Sequence, residues 1–131
     1  MNASHSVRIG GAAGYWGDST QAPRQLVEQG NVNYLVFDYL AEVTMAILSQ
    51  ASKKDDSLGY AVDFVTVAMK DVLKDCADKG IKVIANAGGV NVPGCINALT
   101  TLCKSIDIKL NIVGVYGDNL IAKHQELMAS E

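Results

Sequence analysis

Short apolar runs alternate along the chain with longer segments whose apolar residues recur at helical spacing. Four runs are apolar or small at nearly every position, which is typical of strands covered on both faces. These predicted strands are residues 7–12, 34–39, 82–87 and 110–116. The helical spacing predicts helices over residues 21–30, 42–54, 63–80, 93–106 and 118–130.

Strands that alternate with helices predict a parallel sheet joined by right-handed crossovers. The simplest fold is one α/β domain over residues 1–131. It would be a three-layer, doubly wound, Rossmann-like fold with a mostly parallel, four-stranded sheet. Four βα units are also half of a (β/α)8 barrel, which cannot close alone. We therefore favour the open sheet.

Composition narrows the classes of protein. Hydrophobic residues make up 49% of the 131 residues and charged residues 19%, which favours a globular domain. The net charge is −3 and no basic run exceeds Lys53-Lys54, so we expect no nucleic-acid partner. No apolar stretch reaches the roughly 18 residues of a membrane span, and the N-terminus lacks a secretory pattern. We expect a cytoplasmic protein with no membrane partner.

The odd number of cysteines also bears on location and chemistry. Three cysteines without CxxC spacing indicate reduced thiols, and they argue against a disulfide framework or a zinc site. The two histidines, His5 and His124, are poorly placed for a Ser-His-Asp relay or a metal centre. We predict no metal site, and no cofactor is identified. The roles of Cys95 and His124 stay open between packing and chemistry.

The carboxyl ends of parallel strands meet at one edge of a sheet, where open α/β proteins bind ligands. The predicted strands are followed there by "GGAAGYWGDST", "FDYLAE", "ANAGGVN" and "VYGDN". We therefore predict a crevice that binds a small-molecule ligand and is lined by glycine-rich backbone and polar side chains. The predicted ligand-binding residues are Gly11, Gly14, Tyr15, Trp16, Asp18, Ser19, Asn86, Gly88, Gly89, Asn91, Tyr116 and Asp118.

Three stretches carry alternative interpretations. "GGAAG" departs from GxGxxG, so it is a weak signal for a dinucleotide and fits a tight turn equally. "NAGGVNVPG" precedes a helix, and amides at its start would hold an anion, or the stretch is an ordinary turn. Asp38 and Glu42 would face the same way if the helix began at Asp38. They are then candidate acid/base residues, or a helix cap and a first-turn acid.

The same motifs carry a family resemblance. "VRIGGAAGYWGDSTQAPRQLVEQGNVNYLVFDYLAEVTMAIL", "GYAVDFVTVAMKDVL" and "GIKVIANAGGVNVPGC" resemble the acyclic terpene utilisation (AtuA-like) family. The resemblance implies a bacterial protein of citronellol- and geraniol-type terpene catabolism, a pathway of acyl-CoA thioesters. The family domain is several hundred residues long, so the chain resembles its N-terminal portion.

Two main functions are expected on this basis. The first is an enzyme that acts on an acyl or CoA-linked small molecule, with Asp38 and Glu42 as acid/base residues. The second is a non-catalytic ligand-binding or assembly module. An inactive fragment of such an enzyme is a third reading. An exposed apolar edge or face would favour a homo-oligomer.

Overall fold

A computed structural model describes residues 6–120 and 123–129. Its core is a parallel sheet of three strands, with helices in the connections. The strands are β1 (Ile9–Ala13), β2 (Tyr34–Phe37) and β3 (Lys82–Ala85). The helices are α1 (Ala22–Gln29), α2 (Glu42–Lys54), a π-helical segment (Phe64–Met69) that continues as α3 (Lys70–Lys79), α4 (Val92–Ser105) and α5 (His124–Met128).

The sheet has the order β1-β2-β3, and each neighbouring pair is parallel. Tyr34 is paired with Ile9 on one side and with Lys82 on the other, which fixes the register. A bulge between Gly11 and Ala13 shifts the end of β1 by one residue. The class predicted from the sequence, α/β with a parallel sheet, is therefore confirmed.

One face of this sheet is covered by helices. Leu35 and Phe37 of β2 are buried under α1 and the π-helical segment with α3, together with Met69 and Val72. Successive right-handed crossovers in a sheet of order β1-β2-β3 place all connecting helices on the same side. The predicted apolar stripe of the third helix is confirmed, since all five of its residues are buried: Val65, Ala68, Met69, Val72 and Cys76.

The opposite face of the sheet is open. Ile9 is 67% exposed and Ile84 is 54% exposed, and both project from the side that does not carry Leu35. Gly11 of β1 and Val36 of β2 lie on the same side in register with Ile84. Within the described residues, the second helical layer of the predicted three-layer fold is absent.

The fourth predicted strand is wrong. Residues 110–116 are irregular, and the described chain has three strands. Ile108 and Ile112 pack against the core from one side, whereas Val113 is 83% exposed and Val115 is 86% exposed. The apolar run therefore reflects one-sided packing beside α4, where Gly114 lies next to Ile96, without a ladder to a neighbouring strand.

The C-terminal helix differs from the prediction, whereas the end of α3 agrees with it. The C-terminal helix is only His124–Met128 in the described residues, and its side chains are exposed rather than packed inward. Ile121, predicted on its inner side, lies outside the described residues. Gly80 ends α3 with a positive φ of 68°, as the sequence predicts. Every helix described by the structure is too short or too polar to cross a membrane.

Candidate functional site

The ends of the three strands are tied together by backbone hydrogen bonds. The amide of Asp38 donates to the carbonyl of Ala13 at 3.1 Å, which joins the end of β2 to the end of β1. The amide of Asn86 donates to the carbonyl of Phe37 at 3.3 Å, which joins β3 to β2. The predicted convergence of the strand ends therefore brings Asp38 and Asn86 together.

The side chains of these two residues form a hydrogen-bonded network. Asn86 Nδ2 donates to Asp38 Oδ1 at 2.6 Å, and Asn86 Oδ1 accepts the backbone amide of Tyr39 at 2.7 Å. The two bonds orient the Asn86 amide group and hold the Asp38 carboxylate against it. Both side chains are solvent-exposed, so a ligand can reach them.

The glycine-rich loop after β1 folds into a compact turn. The amide of Gly14 donates to Asp18 Oδ2 at 2.9 Å, and the amide of Asp18 donates to the carbonyl of Tyr15 at 3.2 Å. Ser19 Oγ accepts the amide of Ala22 at 3.1 Å, so it satisfies an amide at the start of α1. Asp18 and Ser19 therefore hold the loop and the helix start.

Trp16 connects this loop to a distant part of the chain. Its Nε1 donates to Asp63 Oδ1 at 2.5 Å, just before the π-helical segment. Asp63 was missed as a site residue because the contact joins positions 47 residues apart and no local pattern signals it. Tyr15, by contrast, is 59% exposed.

A buried aromatic cluster lies beneath the same edge of the sheet. The rings of Phe37, Tyr39 and Phe64 meet edge to face, with centroids 5.2 to 6.0 Å apart. Burial raises the pKa of Tyr39 to about 12, and the negative charge of Asp63 adds to the shift. The phenol therefore stays protonated at neutral pH.

The "NAGGVN" turn is held by its own backbone and by the loop that precedes the π-helical segment. The amides of Gly89, Val90 and Asn91 donate to carbonyls of the protein, and that of Gly94 donates to Asn91 Oδ1 at 2.9 Å. Asn91 caps α4 and its Nδ2 donates to the carbonyl of Leu58 at 2.7 Å. Most amides of the turn therefore already donate to groups of the protein, which leaves fewer of them to bind an anion.

Gly88 and Gly89 have packing reasons of their own. Gly89 has a φ of +53°, and a Cβ there would lie 2.6 Å from the carbonyl oxygen of Gly59 and from Leu48 Cδ1. A Cβ at Gly88 would lie 2.9 Å from Val92. These contacts explain both glycines without a ligand.

The condition that linked Asp38 to Glu42 is not met. Helix α2 begins at Glu42, and its N-cap is Ala41, whose amide donates to Thr44 Oγ1 at 2.5 Å. Asp38 therefore lies before the helix and is neither its cap nor a member of its first turn. Glu42 is exposed in the first turn of α2.

Of the predicted ligand-binding residues, Asn86 alone takes part in the hydrogen bonds with Asp38 and Tyr39. Three of the others lie on different parts of the fold. Gly11 is on the open face of the sheet, and Tyr116 and Asp118 are exposed in the irregular segment that follows α4. Within the described residues, the hydrogen bonds that assemble the strand-end network do not include these three. Two shallow apolar depressions also lie elsewhere, one of about 400 Å³ beside His124 on α5 and one of about 480 Å³ beside Ile47 on α2.

The thiols and the histidine contribute packing or surface rather than a site. Burial raises the pKa of Cys95 to about 11. Cys76 and Cys103 are buried free thiols as well. His124 is exposed instead of lying at the core edge. Among the residues that the structure describes, no three His, Cys, Asp or Glu side chains are grouped to hold a metal ion.

The three parallel strands and their connecting helices define an α/β protein, with a polar network at the carboxyl ends of the strands. A family model described as "Acyclic terpene utilisation family protein AtuA" matches residues 7–131. The chain belongs to this family, which confirms the resemblance drawn from its motifs. Neither the curated proteins nor the solved structures compared with the chain gave a match.

Proposed function

We propose that this chain binds an acyl or CoA-linked small molecule of acyclic terpene catabolism at the carboxyl ends of its strands. The observation that supports the proposal is the network of Asp38, Asn86 and the Tyr39 amide. It presents an oriented carboxylate and an oriented amide group on the surface where parallel sheets bind ligands. Membership of the AtuA family supports the link to acyclic terpene utilisation, and the acyl or CoA-linked class of the ligand is our proposal.

The network has the groups that an acyl thioester needs. Asn86 Nδ2 carries two N–H groups, and only one is needed for the bond to Asp38. The second N–H can donate to a thioester carbonyl oxygen. Asp38 then lies beside the carbon next to that carbonyl, where a carboxylate can accept a proton.

The proposal assigns different weights to the two candidate acid/base residues. Asp38 is held by Asn86 at 2.6 Å, so its orientation is set before a ligand binds. Glu42 is at the exposed start of α2, outside the hydrogen bonds that join Asp38 to Asn86. We therefore assign Asp38 the main role and Glu42 an auxiliary one.

A thermal-shift panel tests binding. CoA, octanoyl-CoA, nucleotides and divalent cations are added to the wild-type chain, and a ligand at 100 times its Kd stabilises the fold by about 2.7 kcal/mol. We expect octanoyl-CoA to raise the Tm by about 5 °C or more. Asp38→Asn should reduce this shift, whereas Asp78→Asn, which removes an exposed carboxylate of α3, should not. No shift with either CoA or octanoyl-CoA contradicts the proposal.

A second experiment separates an enzyme from a binding module. In D2O, an acid/base catalyst exchanges the α-proton of octanoyl-CoA for deuterium, which NMR detects. Loss of exchange in Asp38→Asn with retained folding supports catalysis. Binding without exchange or any other turnover supports the alternative, a non-catalytic ligand-binding or assembly module.

Self-association and a cytoplasmic location remain part of the proposal. The open apolar face that carries Ile9, Val36 and Ile84 is the surface whose burial would favour a homo-oligomer. Analytical ultracentrifugation over a concentration series tests this expectation. A monomer at every concentration contradicts it.

A further inference from the structure

The contact between Trp16 and Asp63 stands out from the other hydrogen bonds at the strand ends. Its donor is an indole N–H and its acceptor a carboxylate oxygen, 2.5 Å apart and partly buried. Charge-assisted bonds of this kind are about twice as strong as neutral ones. It joins the glycine-rich loop to the start of the π-helical segment.

Asp63 also connects the loop to the aromatic cluster. Asp63 directly precedes Phe64, whose ring meets that of Tyr39 edge to face, and its charge adds to the effect of burial in raising the pKa of Tyr39. The backbone amide of Tyr39 is bound by Asn86, which holds Asp38. Trp16 itself packs against the core as a partly buried side chain. Trp16 lies three residues after Ala13, whose carbonyl accepts the Asp38 amide, so its loop leaves the same strand end that carries the proposed ligand site.

The loop that carries Trp16 has few other restraints. Gly17 has a φ of +88°, and a Cβ at that position would meet nothing within 4 Å. The bond between the Gly14 amide and Asp18 closes the turn locally and does not tie it to the rest of the fold. The indole is therefore held by its packing against the core and by the directional bond to Asp63.

We propose that Asp63 is a positioning residue that holds the Trp16 indole as a wall against which the apolar acyl part of the ligand packs. This inference rests on the proposed function for its ligand. An aromatic wall removes acyl methylene groups from water, which favours binding of the acylated ligand. Asp63 and Trp16 together would then determine the preference for an acyl-CoA over CoA itself.

The first test needs no ligand. Trp16 is the only tryptophan, so its fluorescence reports on this position alone. We expect Asp63→Ala to raise the acrylamide quenching constant about twofold, because the indole loses its acceptor and becomes more accessible. Asp63→Asn keeps an acceptor oxygen and should stay close to wild type. Asp78→Asn is the control for loss of a carboxylate elsewhere. Unchanged quenching in Asp63→Ala overturns the proposal.

The second test measures selectivity. The ratio of the Kd for CoA to the Kd for octanoyl-CoA should fall about tenfold in Asp63→Ala. In Asp63→Asn it should stay close to the wild-type ratio. Trp16→Phe keeps a ring without the N–H donor and should give an intermediate ratio. Asp78→Asn should leave the ratio unchanged, because the carboxylate that it removes is paired with Lys74 on the exposed surface of α3.

The outcomes separate the two proposals. If the wild-type chain binds neither CoA nor octanoyl-CoA, the proposed function fails, and with it the role of Trp16 as a ligand wall. The quenching experiment then still decides whether Asp63 positions the indole. If quenching rises in Asp63→Ala but the selectivity ratio does not change, the ligand role of Asp63 is wrong. If Asp63→Ala does not fold, Asp63→Asn and Trp16→Phe still give the ratio.

Discussion

The two faces of the sheet differ sharply although the same strands form both. On the face covered by helices, Leu35 is fully buried and Phe37 is 1% exposed. On the other face, Ile9 is 67% exposed and Ile84 is 54% exposed. Side chains alternate between the faces along each strand, so neighbouring residues of β2 have opposite environments. The strand sequences, apolar on both faces, do not reveal this difference.

The difference follows from the direction of the crossovers. Each strand is added on the same side of the previous one, and right-handed connections then keep the helices on one face. A second layer requires a later segment of chain that crosses in the other direction, or a partner surface. In the described residues, the hydrophobic stabilisation of the sheet comes from one face.

The largest expected effect compares neighbouring residues of β2. Leu35→Ala leaves a cavity in the covered face and should lower the free energy of unfolding by about 3 kcal/mol. Val36→Ala, on the open face, should cost less than about 1 kcal/mol. Urea denaturation followed by circular dichroism measures both. Equal losses would mean that the open face is covered in solution.

A pair of glycines gives the next largest effect. Gly89→Ala places a Cβ 2.6 Å from the Gly59 carbonyl at a φ of +53°, which should cost about 2 kcal/mol. Gly11→Ala, where a Cβ would meet nothing within 4 Å, should be neutral or stabilise by up to about 0.5 kcal/mol. Thermal denaturation of the two variants measures the difference. A Gly11→Ala loss as large as that of Gly89→Ala contradicts an open face.

Much of the fold was predictable because local patterns determine it. The first three predicted strands, the buried stripe of the third helix and its end at Gly80 all follow from the spacing of apolar residues and glycine. The conformation of residues 110–116 was not predictable, because an apolar run shows which residues can be buried but not which neighbours they contact. Ile112 packs on the core, while Val113 and Val115 face solvent.

The candidate site likewise has a part that was predictable from the sequence and a part that was not. The approach of Asp38 to Asn86 follows from parallel strands, whose carboxyl ends share an edge. The bond between Trp16 and Asp63 depends on where the π-helical segment lies against the first loop, and tertiary packing alone sets that position. The role of Asn91 as the N-cap of α4 was also not predictable, since a capping asparagine and a ligand-binding asparagine look alike in a sequence.

The smallest effect on stability is expected from a thiol placed on the open face. Ile84→Cys should change the free energy of unfolding by about 0.5 kcal/mol or less, because the side chain is already 54% exposed. Its thiol should react with a disulfide reagent at pH 8 as an exposed cysteine does. The natural thiols should not, because burial raises the pKa of Cys76 and Cys95 to about 11 and shields the sulfur atoms.

The same thiols give this comparison a pH dependence with a definite sign. Their folded-state pKa of about 11 lies above the ordinary value of 9.0, so their contribution to stability is complete below pH 9. It is lost as the pH rises towards 11, since the unfolded chain releases these protons first. We expect the denaturation midpoint to fall over that range and the natural thiols to become reactive only with unfolding. If Ile84→Cys reacts as slowly as they do at pH 8, a partner surface or another segment covers the open face. The exposed face of the sheet would then be a property of the single chain and not of the protein in solution.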